Sequence, residues 1–381
     1  MLVLAHDYQT MFNRISYFCM RFAWLMFAPL CLAFAALPQA RADSDARAWN
    51  ELMLRRGYST NRVAAVHVAE RFGEDDPRLH IALHNAGVSL SWLNKQLALA
   101  ESYFKRDIVL MEKIGPNFPS IVSDCYELAN IYEQEGRYKE AEALLLRGLS
   151  IRNSWKDLHS DDPYNAELYC SLHIAYYVQG ETGKANDAQA QMFKAVDIWH
   201  TDKNRNLCLF KVGNDLYKFV TRSKGLTPQQ SKHLLEMSRG FTQGCVSLDL
   251  KTGNEFDRSL ALQYLSDIEK ALGALSDAES HSREALNLAQ AKFKDEHMHY
   301  AAFCALAQLS HILVEQHRYK EMDKLVDQYL DNSAKAFGAA SQECVTDINN
   351  CAEIYGNESL PEQADKRRKK AAAIIQKFWK H

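Results

Sequence analysis

Proline and glycine are scarce in this chain: 8 and 16 among 381 residues. Long β-rich runs are missing too, while Ala, Leu, Glu, Lys and Gln dominate, so the expected fold class is all-α. A strong charge of one sign is also lacking. The formal net charge of −3 argues against a dedicated nucleic-acid binder, which usually carries a basic bias. No C-x-x-C pair occurs among the nine cysteines, which leaves thiol-redox and zinc-knuckle chemistry without support. Phosphate-loop, dinucleotide, zinc-protease and nucleophile-elbow motifs are all missing. What is present is globular composition, 47% hydrophobic and 24% charged, with ample material for a core.

The first segment does not read as part of the fold. Arg14 and Arg21 precede an apolar run from Phe22 to Leu37, followed by Pro38 and Ala40-Arg41-Ala42. A positive leading region, a short apolar stretch and an A-x-A site form a secretory signal peptide over 1–42, with Met11 an alternative start. The apolar run is shorter than the roughly 20 residues that span a bilayer. The expectation is therefore cleavage near Ala42 and an exported protein, periplasmic, envelope-associated or secreted. An uncleaved anchor is the alternative. Seven cysteines follow the cut, and their odd number and scattered spacing read as small buried groups rather than a disulfide framework.

The rest of the chain is periodic. "RYKE" occurs as Arg137–Glu140 and again as Arg318–Glu321, each copy shortly after a Glu-Gln pair. Around the first copy, Leu128, Ala129, Tyr132, Ala141, Leu145 and Gly148 fit two amphipathic helices with a turn at Gly136. Leu128 has counterparts at Ala86, Leu172, Val212, Leu265, Leu309 and Cys351, so successive steps are 42, 44, 40, 53, 44 and 42 residues. A small residue usually follows the anchor, and a large one sits three residues beyond it. Antiparallel helices approach closely only where side chains are small, and large neighbours fill the space beside the crossing. One hairpin cannot bury its apolar face alone, so hairpins must stack.

This pattern resembles the tetratricopeptide repeat (TPR), in its 42-residue variety of the kinesin light chain type. Gly87, Ala129 and Ala352 match the family's first small position. Tyr132, Tyr176 and Tyr355 match its aromatic position, and Ala141, Ala278 and Ala364 match the alanine of its second helix. The resemblance implies an all-α, right-handed solenoid of stacked antiparallel hairpins. The expected organisation is a shortened N-terminal hairpin over 43–77 and repeats over 78–203. A degenerate hairpin with a long loop around "GCVSLDLKTGNEF" follows over 204–255. Further repeats over 256–381 end in a basic capping helix. About eight hairpins fill the mature chain and leave no space for a catalytic domain.

The candidate chemistry is sparse. His297-Met298-His299 is the nearest approach to a metal cluster, but residues two apart on a helix do not face each other. The carboxylates around the first RYKE decorate a turn and lack the pocket that acid–base catalysis needs. No catalytic residue, metal ligand or cofactor is therefore expected. Lys366–Lys370 open a terminal helix whose Ala371, Ile374, Ile375 and Phe378 share one face, as a polar-backed cap requires. A weak contact with a membrane surface through this helix is the alternative.

In the family the first helices line a concave groove. The resemblance implies groove candidates His84, Asn85 and Ser91, then Tyr126, Glu127 and Asn130, then Cys170, Ser171 and Tyr177. Gln263, Tyr264 and Asp267 follow, with Gln308, His311, Asn349, Asn350 and Glu353 further along. Amides can pair with an extended peptide backbone, and tyrosines offer rigid apolar area with a polar tip. The expected function is an exported, non-enzymatic scaffold that binds a protein or peptide and no nucleic acid. A membrane-surface structural component and an enzyme are the alternatives.

Overall fold

The structure is a computed structural model that describes residues 60–93, 96–154, 164–198, 201–358 and 360–378. The signal-peptide segment and the first half of the shortened N-terminal hairpin lie outside these residues. Every regular element among the described residues is an α-helix. Helix α1 covers 60–72. Seven hairpins follow: α2 (Leu79–Leu93) with α3 (Leu97–Ile114), α4 (Pro119–Gln134) with α5 (Tyr138–Asn153), and α6 (Tyr164–Val178) with α7 (Thr182–Asp197). Next come α8 (Asp202–Arg222) with α9 (Pro228–Thr252) and α10 (Glu255–Ala271) with α11 (Leu275–Ala291). The last two pair α12 (Glu296–Glu315) with α13 (Tyr319–Phe337), and α14 (Gln342–Asn357) with α15 (Pro361–Phe378). From α3 on, each helix packs on the one before it, and each first helix of a hairpin also meets the first helix of the next. This is a solenoid of stacked hairpins of the TPR type.

The small residues sit where helices cross. A Cβ added at Gly87 would lie 2.8 Å from the ring of the wholly buried Phe104. At the equivalent place in hairpin α10–α11, Ser266 donates to the Ala278 carbonyl at 2.9 Å and pairs with Ser282 at 2.7 Å. A hydroxyl is tolerated at such a crossing because the facing helix supplies its hydrogen bonds.

The two RYKE stretches close two equivalent turns. Gly136 has φ 76° and His317 has φ 59°, so both adopt the left-handed conformation that ends the first helix. The amide of Arg137 then donates to the Tyr132 carbonyl at 2.7 Å, and that of Arg318 to Leu313 at 2.7 Å. Each arginine reaches back to the preceding hairpin. Arg137 contacts Glu101 at 3.0 Å, and Arg318 contacts Glu279 at 2.6 Å.

A wider clamp contains the first of these contacts and recurs at two other interfaces. Tyr132 donates to Glu101 at 2.9 Å, Tyr176 to Glu142 at 2.9 Å and Tyr355 to Asp323 at 2.5 Å. In each case a first helix holds a carboxylate on the second helix of the hairpin before. A cation covers each ring: Arg137 at 3.7 Å, Lys184 at 4.9 Å and Arg367 at 4.8 Å from the ring centres.

One expectation is corrected. The long loop anticipated around Gly244–Phe256 is helix as far as Thr252. The long step is absorbed by helices of 21 and 25 residues, α8 and α9. Thr227 and Gln230 form a capping box with Pro228 in the first turn, and Leu234, Leu235, Ser238, Phe241, Thr242 and Cys245 keep helical spacing on the buried face. Gly253, at φ 73°, ends the helix. No disulfide joins the seven cysteines among the described residues; six are buried and Cys304 is half-buried.

Candidate interaction face

The first helices α2, α4, α6, α8, α10, α12 and α14 share one face of the stack. Along α4 to α8 that face closes in on itself. Tyr126 on α4 donates to Asp215 on α8 at 2.6 Å, although they are 89 residues and two hairpins apart. Lys211 on α8 pairs with Glu167 on α6 at 2.7 Å. Acids and bases are thus gathered in little space. Burial pushes the Asp215 carboxyl up to about 7, and the neighbouring Glu167 adds to the shift. Burial raises Glu127 as well, while His84 and Lys218 pull the other way. Glu133 is almost fully buried, raised well above the carboxylate range by burial and then by Asp215.

A second stretch lies on α8, α10 and α12. Phe210 meets Tyr264 edge to face, with ring centres 4.9 Å apart. Burial lifts the Tyr217 hydroxyl to about 12, helped by Asp267 and Tyr264, and it lifts the Asp267 carboxyl to about 6. Tyr300 stands open at 65% exposure. Gln308 spans the helices, donating to the Gln263 carbonyl at 3.3 Å. His311 contacts Glu358 at 3.0 Å. Aromatic faces, amides and a carboxyl share one ledge, a surface suited to a polypeptide with both apolar and polar groups.

The residues nominated from the sequence divide in two. His84, Ser91, Tyr126, Cys170, Ser171 and Gln263 are buried in the packing between helices. His84 lies 2.7 Å from Asp124, and Gln263 donates to the Ala301 carbonyl at 3.2 Å. Ser171 donates to Asn130 at 3.3 Å. Asn85, Glu127, Asn130, Tyr177, Tyr264, Asp267, Gln308, Asn350 and Glu353 are half-buried, and His311 and Asn349 are exposed. Tyr177 lies against His233, ring centres 4.6 Å apart, and Glu353 pairs with Arg368 at 3.2 Å. The sequence reading nominated nothing from α8. Phe210 and Tyr217 stand there two residues before and five after the anchor Val212.

No protein-family model and no curated protein matches the chain. Solved structures of helical-repeat proteins do. A kinesin light chain with nearly identical TPR-like repeats from Podosopora anserina is 19% identical, over 69% of this chain and 98% of that one, with a TM-score of 0.33. The quorum sensor NprR of B. thuringiensis, in its apo form, is 12% identical over 95% and 96%, with a TM-score of 0.39. A Rap protein complexed with Competence and Sporulation Factor is 14% identical over 84% and 98%, with a TM-score of 0.31. At these identities the likeness is one of helical-repeat construction.

Proposed function

We propose that the chain is an exported, non-enzymatic scaffold that holds a protein or peptide segment along its first-helix face. The observation that carries this reading is the ledge on α8, α10 and α12. There Phe210 and Tyr264 pack edge to face beside Asp267 and Gln308, with the open Tyr300 at the margin. An extended segment can lay apolar side chains on these rings and pair its backbone with the amides. The basic run of α15 supports the capping reading over a membrane contact. Arg367 pairs with Asp327 at 2.9 Å and Arg368 with Glu353 at 3.2 Å, so both turn onto the chain itself. No helix among the described residues is long and apolar enough to cross a membrane.

The test is in-cell crosslinking from a photoreactive residue placed at Tyr300 or, as a control, at Tyr319. Tyr319 is 42% exposed at the second RYKE turn, away from the ledge. A discrete protein captured from position 300, absent from position 319 and lost with Tyr264→Ala, supports the scaffold. Equal capture from both positions, or none from position 300, refutes the ledge. Export is tested separately by fractionation with N-terminal sequencing, where a mature chain beginning at Asp43 is the expected product.

A further inference from the structure

Between the α2–α3 and α4–α5 hairpins lies a cluster that the interaction face does not use. His80 and His84 stand one turn apart on α2, in the stretch His-Ile-Ala-Leu-His. Helical residues at this spacing project from the same face. Asp107 on α3 and Asp124 on α4 point at them, and both aspartates are fully buried. Nδ1 of His80 lies 2.7 Å from Asp107, and Nδ1 of His84 lies 2.7 Å from Asp124. Donor atoms of His80, Asp107 and Asp124 all fall within 4.8 Å of one another. One oxygen of each aspartate, Oδ1 of Asp107 and Oδ2 of Asp124, has no hydrogen-bond donor.

The chain holds its own control. Asp124 stands four residues before the repeat anchor Leu128, and Asp347 stands four before the anchor Cys351. Asp347 is also buried, but its oxygens are fully engaged. Tyr329 donates to it at 3.0 Å, Ser333 at 2.5 Å, and His299 lies 2.9 Å away. Tyr329 occupies the register position on α13 that Asp107 occupies on α3, each seven residues after the small or anchor position, Ala100 or Met322, of its second helix. Where one interface presents a hydroxyl donor to the buried aspartate, the other presents a second carboxylate. Two buried carboxylates facing each other are unfavourable without a cation or proton between them.

We propose that His80, Asp107 and Asp124 bind a divalent transition-metal ion of the Zn²⁺ class, with His84 either completing the set or orienting Asp124. The donors are imidazole nitrogen and carboxylate oxygen, which zinc accepts at about 2.0–2.2 Å. A divalent cation neutralises both carboxylates and engages the two orphaned oxygens with both imidazoles neutral, as metal ligation requires, whereas one shared proton between the carboxylates then leaves a net negative charge. The His80 side chain keeps 16% of its surface exposed and supplies an entry edge. Because the ligands come from α2, α3 and α4, the ion would tie the two hairpins together, as a structural metal does.

The test is equilibrium dialysis of the untagged chain, stripped with chelator, against Zn²⁺, with the bound metal counted by mass spectrometry and thermal unfolding followed in parallel. One zinc per chain and a rise in Tm are expected. Asp107→Asn keeps the shape of the site and lets an amide donate to Asp124, so this variant should fold without metal. It should bind zinc at least roughly tenfold more weakly and lose the zinc-dependent rise in Tm. His80→Gln should lose the same rise. A wild-type chain that binds no zinc, with Asp107→Asn simply more stable, would show a shared proton only and overturn the assignment. Unchanged zinc binding by Asp107→Asn would place the metal elsewhere and overturn it equally.

Discussion

Replacing Glu101 by glutamine removes a charge from the clamp between the α2–α3 and α4–α5 hairpins and leaves its shape. Glu101 receives Tyr132 at 2.9 Å, Arg137 at 3.0 Å and Lys105 at 2.6 Å. Burial alone would raise its carboxyl. The hydrogen bonds from Arg137, Lys105 and Tyr132 outweigh burial and bring it from 4.5 to about 2. At about 1.4 kcal/mol per unit, that lowering corresponds to roughly 3 kcal/mol. Arg137 is 30% exposed and Lys105 55%, so solvent screens a large part, and about 1–2 kcal/mol is expected for Glu101→Gln near pH 7. The folded-state value lies below the unfolded one. The contribution is therefore present above about pH 4.5 and fades as the pH falls towards about 2. A cycle with Arg137→Ala, read by urea unfolding at pH 7, should give a coupling of about 1 kcal/mol. Hydrogen exchange should place the lost protection in α3 and α4, because repeat interfaces act between nearest neighbours. Additivity of the two substitutions within about 0.3 kcal/mol, or a difference that does not shrink with acid, would refute the clamp.

Four further outcomes are expected. Gly87→Ala forces a Cβ to 2.8 Å from the buried Phe104 ring, so it should destabilise by about 1–2 kcal/mol despite better helix propensity. Gly240→Ala, mid-helix in α9 with nothing within 4 Å, should stabilise by up to about 1 kcal/mol in the same urea assay. His317→Gly relieves a left-handed φ of 59° and should raise stability by about 0.5–1 kcal/mol in thermal unfolding, whereas Gly136→His should lower it. Asp215 is raised by burial from 3.8 to about 7, so its contribution to folding is complete below about pH 4 and is lost as the pH rises through 7. The wild-type chain should therefore lose stability relative to Asp215→Asn across that window; a pH-independent difference refutes the shift.

Much of the fold was legible because stacked hairpins impose a period. Small residues at crossings, tyrosines beside them and turns after the first helices follow from local spacing. The His317 turn shows where the code is degenerate: the backbone needs a positive φ, and a histidine supplies it where glycine stands in the first copy. The loop expected around Gly244–Phe256 rested on the 53-residue step, which two longer helices absorb instead. Gly244 sits on a helix face where an added Cβ would meet only the Leu209 side chain at 3.3 Å. A glycine facing a flexible leucine reads in sequence like a loop residue, although it is a packing residue.

The candidate interaction face was harder to read, and the reason is geometric. A repeat register predicts contacts within a hairpin and to the next one, because those recur at every step. Tyr126 and Asp215 meet across two hairpins, a contact that exists only where the first helices close in. Its presence depends on the curvature summed over several interfaces, which no single repeat encodes. The hairpin that departs most from the pattern, α8–α9, supplies Phe210, Lys211, Asp215 and Tyr217 to this face. Positions that obey the repeat are occupied by packing: Leu128, Leu172 and Leu265 are buried anchors wherever they occur. Residues that distinguish one interface from another must therefore lie off the pattern. The degeneracy of 204–255 marked where the stack is specialised, while the side chains that specialise it became visible only once distant helices were brought together.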